Sequence, residues 1–290
     1  MNYREIPFAF ECRGKPLIGI VHLPEHPRSR GVLAIVAGGP QYRAGHGRQL
    51  IQMARTLSAQ GTPVMRFDYR GLGDGAGEFE GFQHMGPDLK AAIDAFTRHA
   101  PSVKEIVLWG GCDAASAALI HGPEHPIVTG MILGNPFVHS EETHAKVVVR
   151  HYYLKRIQEK SFWMKILKFR FNPVRALSEA ASALRLTRKT SSNNQHHQVG
   201  EQAPFPARMR NGAQKFQGRI LLLMSGLSLV SKEFDELVSS SSEWSSAINR
   251  EGVIRVDFPE ADQAFSTATA RDAQISAAKR WLNKLDQDSQ

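Results

Sequence analysis

The chain has 290 residues, ordinary apolar content and a net charge of +8. This excludes a disordered polymer and a disulfide-stapled miniprotein, and no apolar run is long enough for a membrane-spanning helix. The two cysteines, Cys12 and Cys112, lie far apart; with no secretory leader read at the N-terminus, they fit a reducing, cytoplasmic setting.

The predicted elements alternate from the start. Residues 8–12 and 17–23 read as an antiparallel pair joined at Arg13-Gly14-Lys15. The apolar run 32–37 reads as a strand buried on both faces, followed by a helix over 48–60 that Gly61 closes. A strand at 63–67, a helix at 87–99 with Pro87 in its first turn, a strand at 105–109, a helix at 113–121 and a strand at 128–133 follow. The alternation then stops. Residues 146–171 read as helical and rich in aromatic side chains, whereas 188–210 is polar and reads as irregular. It resumes with a strand at 219–225, a helix from Lys232, a strand at 253–258 and a last helix at 270–285.

Apolar strands alternating with helices predict a mostly parallel sheet covered on both faces, made mixed by the opening pair. Three segments are expected: core residues 1–136, an inserted basic helical lid at 137–217, and core residues 218–290. The insertion carries most of the charge asymmetry. Between residues 143 and 189 stand twelve Lys and Arg against Glu159 and Glu179. Such a segment is either a solvated basic face or one that meets an anionic surface or substrate. No nucleic-acid motif accompanies it, so no nucleic-acid partner is expected.

The most informative stretch is Val107-Leu108-Trp109-Gly110-Gly111-Cys112-Asp113-Ala114-Ala115-Ser116. It fits a nucleophile elbow, a sharp strand-to-helix turn that needs small residues on both sides of the reactive one; Gly110 and Ala114 supply them. The five central residues alone also fit a tight turn around a buried cysteine. The preceding strand, the following helix and the glycine loop after the third strand favour the elbow. At a helix N-terminus the unpaired amides bias Cys112 toward thiolate, and the adjacent Asp113 opposes that bias. The Asp113 N–H is one candidate oxyanion donor. In Gly38-Gly39-Pro40-Gln41 the proline has no N–H, so Gln41 is the other. Two further motifs are set aside. The glycines at 71, 73, 75 and 77 do not open a helix, and His196-His197 lacks partner ligands, so neither a cofactor nor a metal is expected.

Gly38-Gly39-Pro40-Gln41-Tyr42-Arg43, Phe67-Asp68-Tyr69-Arg70-Gly71-Leu72-Gly73, the Trp109–Ala117 stretch and His151-Tyr152-Tyr153-Leu154 resemble the exosortase A system-associated hydrolases of type 1. These bacterial α/β-hydrolases are tied by genomic context to surface polysaccharide production and protein sorting. The resemblance implies an eight-stranded α/β-hydrolase fold with helices on both faces and a lid after strand six. The resemblance gives a class rather than a reaction; the elbow itself suggests an acyl hydrolase or transferase of the esterase or thioesterase type, with Cys112 attacking the carbonyl of a small acyl or glycan-linked substrate. The family pattern places an acidic residue at Ser228 and a histidine at Gln263, and here both are substituted. Serine cannot hold a charge opposite an imidazolium, and glutamine cannot accept a thiol proton near neutral pH. His139 with Glu141 or Glu142, His84 and His46 are conceivable substitute bases; Asp262 adjoins Gln263. The alternative is a catalytically impaired homologue that binds an acyl or glycan ligand, a partner protein or an anionic membrane surface.

Overall fold

A computed structural model describes residues 2–38, 41–138 and 203–288. The basic stretch 143–189, the His151-Tyr152-Tyr153-Leu154 motif, His139, Glu141, Glu142 and His196-His197 lie outside the described residues. The larger compact unit comprises Met1–Val138 and Pro204–Gln290.

Its centre is one eight-stranded sheet. The strands are β1 (Tyr3–Cys12), β2 (Lys15–Pro24), β3 (Arg30–Ile35), β4 (Val64–Asp68), β5 (Glu105–Gly111), β6 (Val128–Gly134), β7 (Arg219–Ser225) and β8 (Val253–Phe258). Their spatial order is β1-β2-β4-β3-β5-β6-β7-β8. The ladders β1–β2 and β2–β4 are antiparallel and all others parallel, as the alternation of elements predicts. The opening hairpin turns through Arg13 and Gly14, both at positive φ (50° and 70°), the backbone that a two-residue turn between twisted strands requires.

Every residue of β3 and β4 is buried, whereas the edge strands β1 and β8 are largely partly buried or exposed, with Phe10 and Cys12 at the end of β1 reaching the core. The central strands can be apolar throughout because helices cover both faces. Those helices are α1 (Gln49–Ser58), α2 (Gly86–His99), α3 (Asp113–His121), α4 (Phe205–Lys215), α5 (Leu229–Ser240), α6 (Ser242–Ile248) and α7 (Ala268–Asp288).

Helix α4 corrects the sequence reading in one place. The polar stretch 188–210 ends in regular structure from Phe205, and the compact unit resumes at Pro204 rather than at 218. The cause is a close helix–helix contact. A Cβ at Gly212 would collide with the Leu119 carbonyl of α3. Glycine is costly inside a helix, by about 1 kcal/mol relative to alanine, but here it lets α4 lie directly on the helix that follows Cys112.

The topology also locates the site. From β3 the chain moves outward to β4, then returns to place β5 on the other side of β3. In open parallel sheets, ligands bind at the carboxyl ends of strands where the order reverses in this way. The loops after β3 and β5, carrying Gly38, Gln41 and Cys112, meet there. The β3 loop is pinned from β4: Asp68, fully buried, accepts the Arg43 backbone N–H at 2.5 Å, the Arg43 guanidinium, and the Asp74 N–H at 3.0 Å. Gly73 (φ 56°) packs where a Cβ would meet the Asp68 carboxylate. Gly73 and the Asp74 N–H thus close this turn around the Asp68 carboxylate.

Candidate active site

Cys112 sits between β5 and α3 with φ 55° and ψ −124°. A non-glycine residue in that region costs about 1–3 kcal/mol and persists only when its surroundings over-determine it. Here they do. The Cys112 N–H donates to Gly134 O at 2.8 Å, and its carbonyl accepts from Ala115 N, Ser116 N and Phe137 N at 3.1–3.3 Å. A Cβ on Gly110 would lie 2.6 Å from the Ala114 carbonyl carbon and oxygen. The small residue before the turn is therefore required by backbone contact. Gly111 is not so constrained; the nearest atom to its Cβ would be 3.9 Å away.

Cys112 lines a cavity of about 310 Å³ with Gln41, His46, Asp113, Asn135 and Gln263 among its walls. Ile35, Leu50, Phe82, Trp109, Phe137 and Phe265 supply much of the remaining lining. The sequence-expected residues Gln41, Cys112, Asp113 and Gln263 thus share one cavity. Ser228 stands behind Gln263 and donates its hydroxyl hydrogen to Gln263 Oε1. Ser228 Oγ also accepts the Ser231 N–H at 3.2 Å, capping α5. Serine keeps the N-cap that an aspartate would provide here, without the charge. With Oε1 engaged, Gln263 turns Nε2 toward Cys112, where it favours the thiolate.

The thiol is nonetheless pushed up. Burial contributes most, then the Asp113 charge; the Asp113 N–H and the Gln263 amide pull the other way and lose. The helix-terminus bias expected from sequence is therefore overridden by desolvation. Asp113 is itself raised by burial. Both of its carboxylate oxygens lie 2.9 Å from the Gly38 N–H, so that amide is occupied and Gln41 remains the candidate partner to the Asp113 N–H.

Of the three histidines considered as substitute bases, His139 lies outside the described residues. His84 ends a short 3-10 turn (Phe82–His84), is exposed, and does not line the cavity. His46 does line it, from the loop that leads into α1. Asp262 bonds Ser266 through its N–H at 2.8 Å and its hydroxyl, and is held below the ordinary carboxylate range chiefly by those bonds, with a smaller contribution from His46.

One residue of the site escapes sequence reasoning. Asn135, buried and at φ 47°, makes four hydrogen bonds through its side chain. Its Oδ1 accepts from Ser225 N at 2.8 Å and Ser231 Oγ at 2.6 Å; its Nδ2 donates to Ser225 Oγ at 2.8 Å and the Gln263 carbonyl at 2.9 Å. It ties β6 to β7, to the first turn of α5 and to the Gln263 loop. The available signal is Gly134-Asn135-Pro136 directly after a strand, because asparagine tolerates positive φ. Among the described residues no cluster of His, Cys, Asp and Glu is suited to hold a metal, and no helix is long and apolar enough to cross a membrane.

Comparison with known proteins agrees with this architecture. The family model described as serine aminopeptidase, S33 (Hydrolase_4) matches residues 27–227. No curated protein matches the chain in sequence. Among solved structures, the Pyrococcus furiosus esterase Pf2001 is similar at a TM-score of 0.63 and 14% identity, covering 97% of this chain and 91% of its own. Est1E from Butyrivibrio proteoclasticus is similar at 0.58 and 13% identity, covering 98% and 99%. The acylaminoacyl peptidase of Pyrococcus horikoshii is similar at 0.62 and 12% identity over 98% of this chain but 41% of its own. The fold is that of the α/β-hydrolases, and the chain belongs to the Hydrolase_4 family.

Proposed function

We propose that this chain is an acyl-binding α/β-hydrolase homologue whose hydrolytic relay has been replaced by neutral groups. Cys112 stands at the nucleophile position, Ser228 at the acid position and Gln263 at the base position, with the Asp113 and Gln41 amides as oxyanion donors. The observation that carries this reading is the hydrogen bond from Ser228 to Gln263, with the Gln263 amide turned toward Cys112. The connection of a nucleophile–base–acid relay is kept, but no member can take a proton from the thiol. A thiol raised by burial and by Asp113 is protonated near neutral pH, and a protonated thiol is a poor nucleophile. The apolar walls and the backbone amides remain suited to an acyl group and its carbonyl. The resemblance to exosortase-associated hydrolases extends the proposal to acyl groups carried on glycans, and the basic stretch 143–189 to an anionic surface as partner.

The test is hydrolysis of p-nitrophenyl butyrate and a butyryl thioester by the native chain, by Cys112→Ala and by the double variant Ser228→Asp/Gln263→His. The native rate is expected to equal that of Cys112→Ala, and the double variant to exceed both by about 100-fold, the lower range for restoring a general base. Native turnover abolished by Cys112→Ala would overturn the proposal.

A second reading, Cys112-dependent hydrolysis with a relocated base, is favoured by one observation: His46 lines the same cavity and lies near the Asp262 carboxylate. It requires native turnover that is lost in both Cys112→Ala and His46→Gln.

A further inference from the structure

We infer that the free edge of β8 is a docking surface for a second copy of this chain, the two β8 strands pairing antiparallel with Arg255 of each opposite Asp257 of the other. This goes beyond the reading of the cavity and does not depend on it.

A sheet edge presents a row of N–H and C=O groups that can template another strand. This sheet has two edges, and they differ. On β1 the Asn2 carbonyl accepts the Glu25 N–H at 3.0 Å. In the β1–β2 register the backbone groups of even-numbered residues therefore face β2, and those of Tyr3, Glu5, Pro7, Ala9 and Glu11 face outward. Pro7, in the middle of that row, has no N–H to donate, which blunts the edge. On β8 the carbonyls of Gly252 and Phe258 accept from Ile220 N and Gly226 N at 2.9 Å. Ile254 and Val256 thus face β7 as well, and the backbone groups of Arg255 and Asp257 face outward. Neither residue is a proline, and among the described residues β8 has no strand neighbour but β7. The edge is accessible: the Arg255 and Asp257 side chains are 40% and 57% exposed.

The side chains choose the partner. A strand that pairs with its own copy about a two-fold axis aligns outward residues with outward residues. Setting Arg255 opposite itself, or Asp257 opposite itself, puts like charges face to face, which is destabilising. Setting Arg255 opposite Asp257 puts opposite charges across the strands on both sides of the axis, and each such pair exchanges two backbone hydrogen bonds. On the other face of the sheet this register sets Val256 against Val256 and Ile254 against Phe258, both apolar pairs; Ile254 is among the few large apolar side chains exposed in the described residues. Arg255 is held along the edge in advance. Asp235 of α5 accepts from its two terminal nitrogens at 2.6 and 3.0 Å, and Asp257 of its own strand accepts from Nε at 2.9 Å. In the pair each Asp257 lies between its own Arg255 and that of the second copy. A charged edge disfavours strands at random, and the second copy is the strand that carries the matching charges. The pairing also braces the relay loops from outside the cavity, because β8 runs into the Gln263 loop and Asp235 sits on the helix that Ser228 caps.

The experiment is sedimentation equilibrium of the full chain, 32.2 kDa as a monomer, between about 5 and 100 μM. Twice the monomer mass is expected at the upper end. Asp257→Arg, at an exposed position, sets arginine against arginine in this register and should weaken association at least about tenfold. The register is read by cross-linking under mild oxidation, with the native chain as control for Cys12 and Cys112. Val256→Cys opposes itself at a closely spaced, non-hydrogen-bonded pair and should give a disulfide-linked dimer, whereas Arg255→Cys should not. A native chain that stays monomeric over the whole range, association undiminished in Asp257→Arg, or a disulfide that forms through Arg255→Cys and not through Val256→Cys would each overturn the inference, and none of them bears on the cavity.

Discussion

The turn after β5 and the loops after β7 and β8 reach the same cavity but differ in what has been kept. At the first, every constraint that a nucleophile elbow imposes is met: positive φ at Cys112, backbone contact at Gly110, and a helix N-terminus directly behind. At the other two, on the proposed reading, geometry is kept and chemistry is not. Ser228 still caps α5 and still reaches residue 263, and Gln263 still faces Cys112, but neither titrates near neutral pH. Packing constraints protect the elbow, because changing it costs folding energy. The relay residues carry a lighter structural duty, a cap and a hydrogen bond, which serine and glutamine both meet. Under the proposal, replacing a proton relay by these neutral groups therefore leaves the scaffold stable.

The sharpest way to break this comparison is at the elbow itself. Gly110→Ala forces a Cβ against backbone that cannot give way, and a loss on the order of 4 kcal/mol in urea denaturation, or failure to fold, is expected. Gly111→Ala should cost under about 1 kcal/mol. Equal losses at the two would mean that the Ala114 contact is not what shapes the turn. Next comes the residue joining the two regions. Asn135→Ala leaves Ser225, Ser231 and Gln263 short of partners, and a loss of about 3 kcal/mol is expected. A loss under about 1 kcal/mol would show that the β7 and β8 loops hold their positions without it.

Acid sensitivity belongs to neither region. His22, fully buried on β2 beside Arg66 (Arg66 Nε to His22 Nε2, 3.0 Å), is held down to about 4, first by burial and then by the Arg66 charge. The unfolded chain takes up this proton near pH 6.5 and the folded chain only near 4. Stability is therefore fully present above pH 6.5 and is lost as pH falls from there toward 4. About 2 kcal/mol should disappear between pH 7.5 and 5, and His22→Gln should flatten that slope. An unaltered slope in the variant would assign the effect to other groups. The cavity's own ionisation is thus to be read above pH 7, where the fold is insensitive to this group.

Much of the scaffold was legible before the structure because its signals are local. The predicted bounds of β7, β8 and α3 match the structure to the residue, and Gly110, Cys112 and Ala114 can be placed from their spacing together with the flanking strand and helix. What escaped depends on partners distant in the chain. Asn135 acts on residues 90 to 128 positions away. Gly212 makes sense only once α4 lies on α3, so the polar sequence up to 210 does not signal the helix that starts at Phe205. The raised thiol at Cys112 was half-visible: the Asp113 charge can be seen in the sequence, but the larger contribution, burial, cannot.

The most direct test of the neutral relay is the pH dependence of Cys112 alkylation by iodoacetamide, with Cys112→Ala run alongside to subtract Cys12. A rate that rises only above pH 9, unchanged in His46→Gln, is the expected result. A thiolate already formed between pH 6 and 8, and lost when His46 is replaced, would contradict the account and establish a working cysteine–histidine pair.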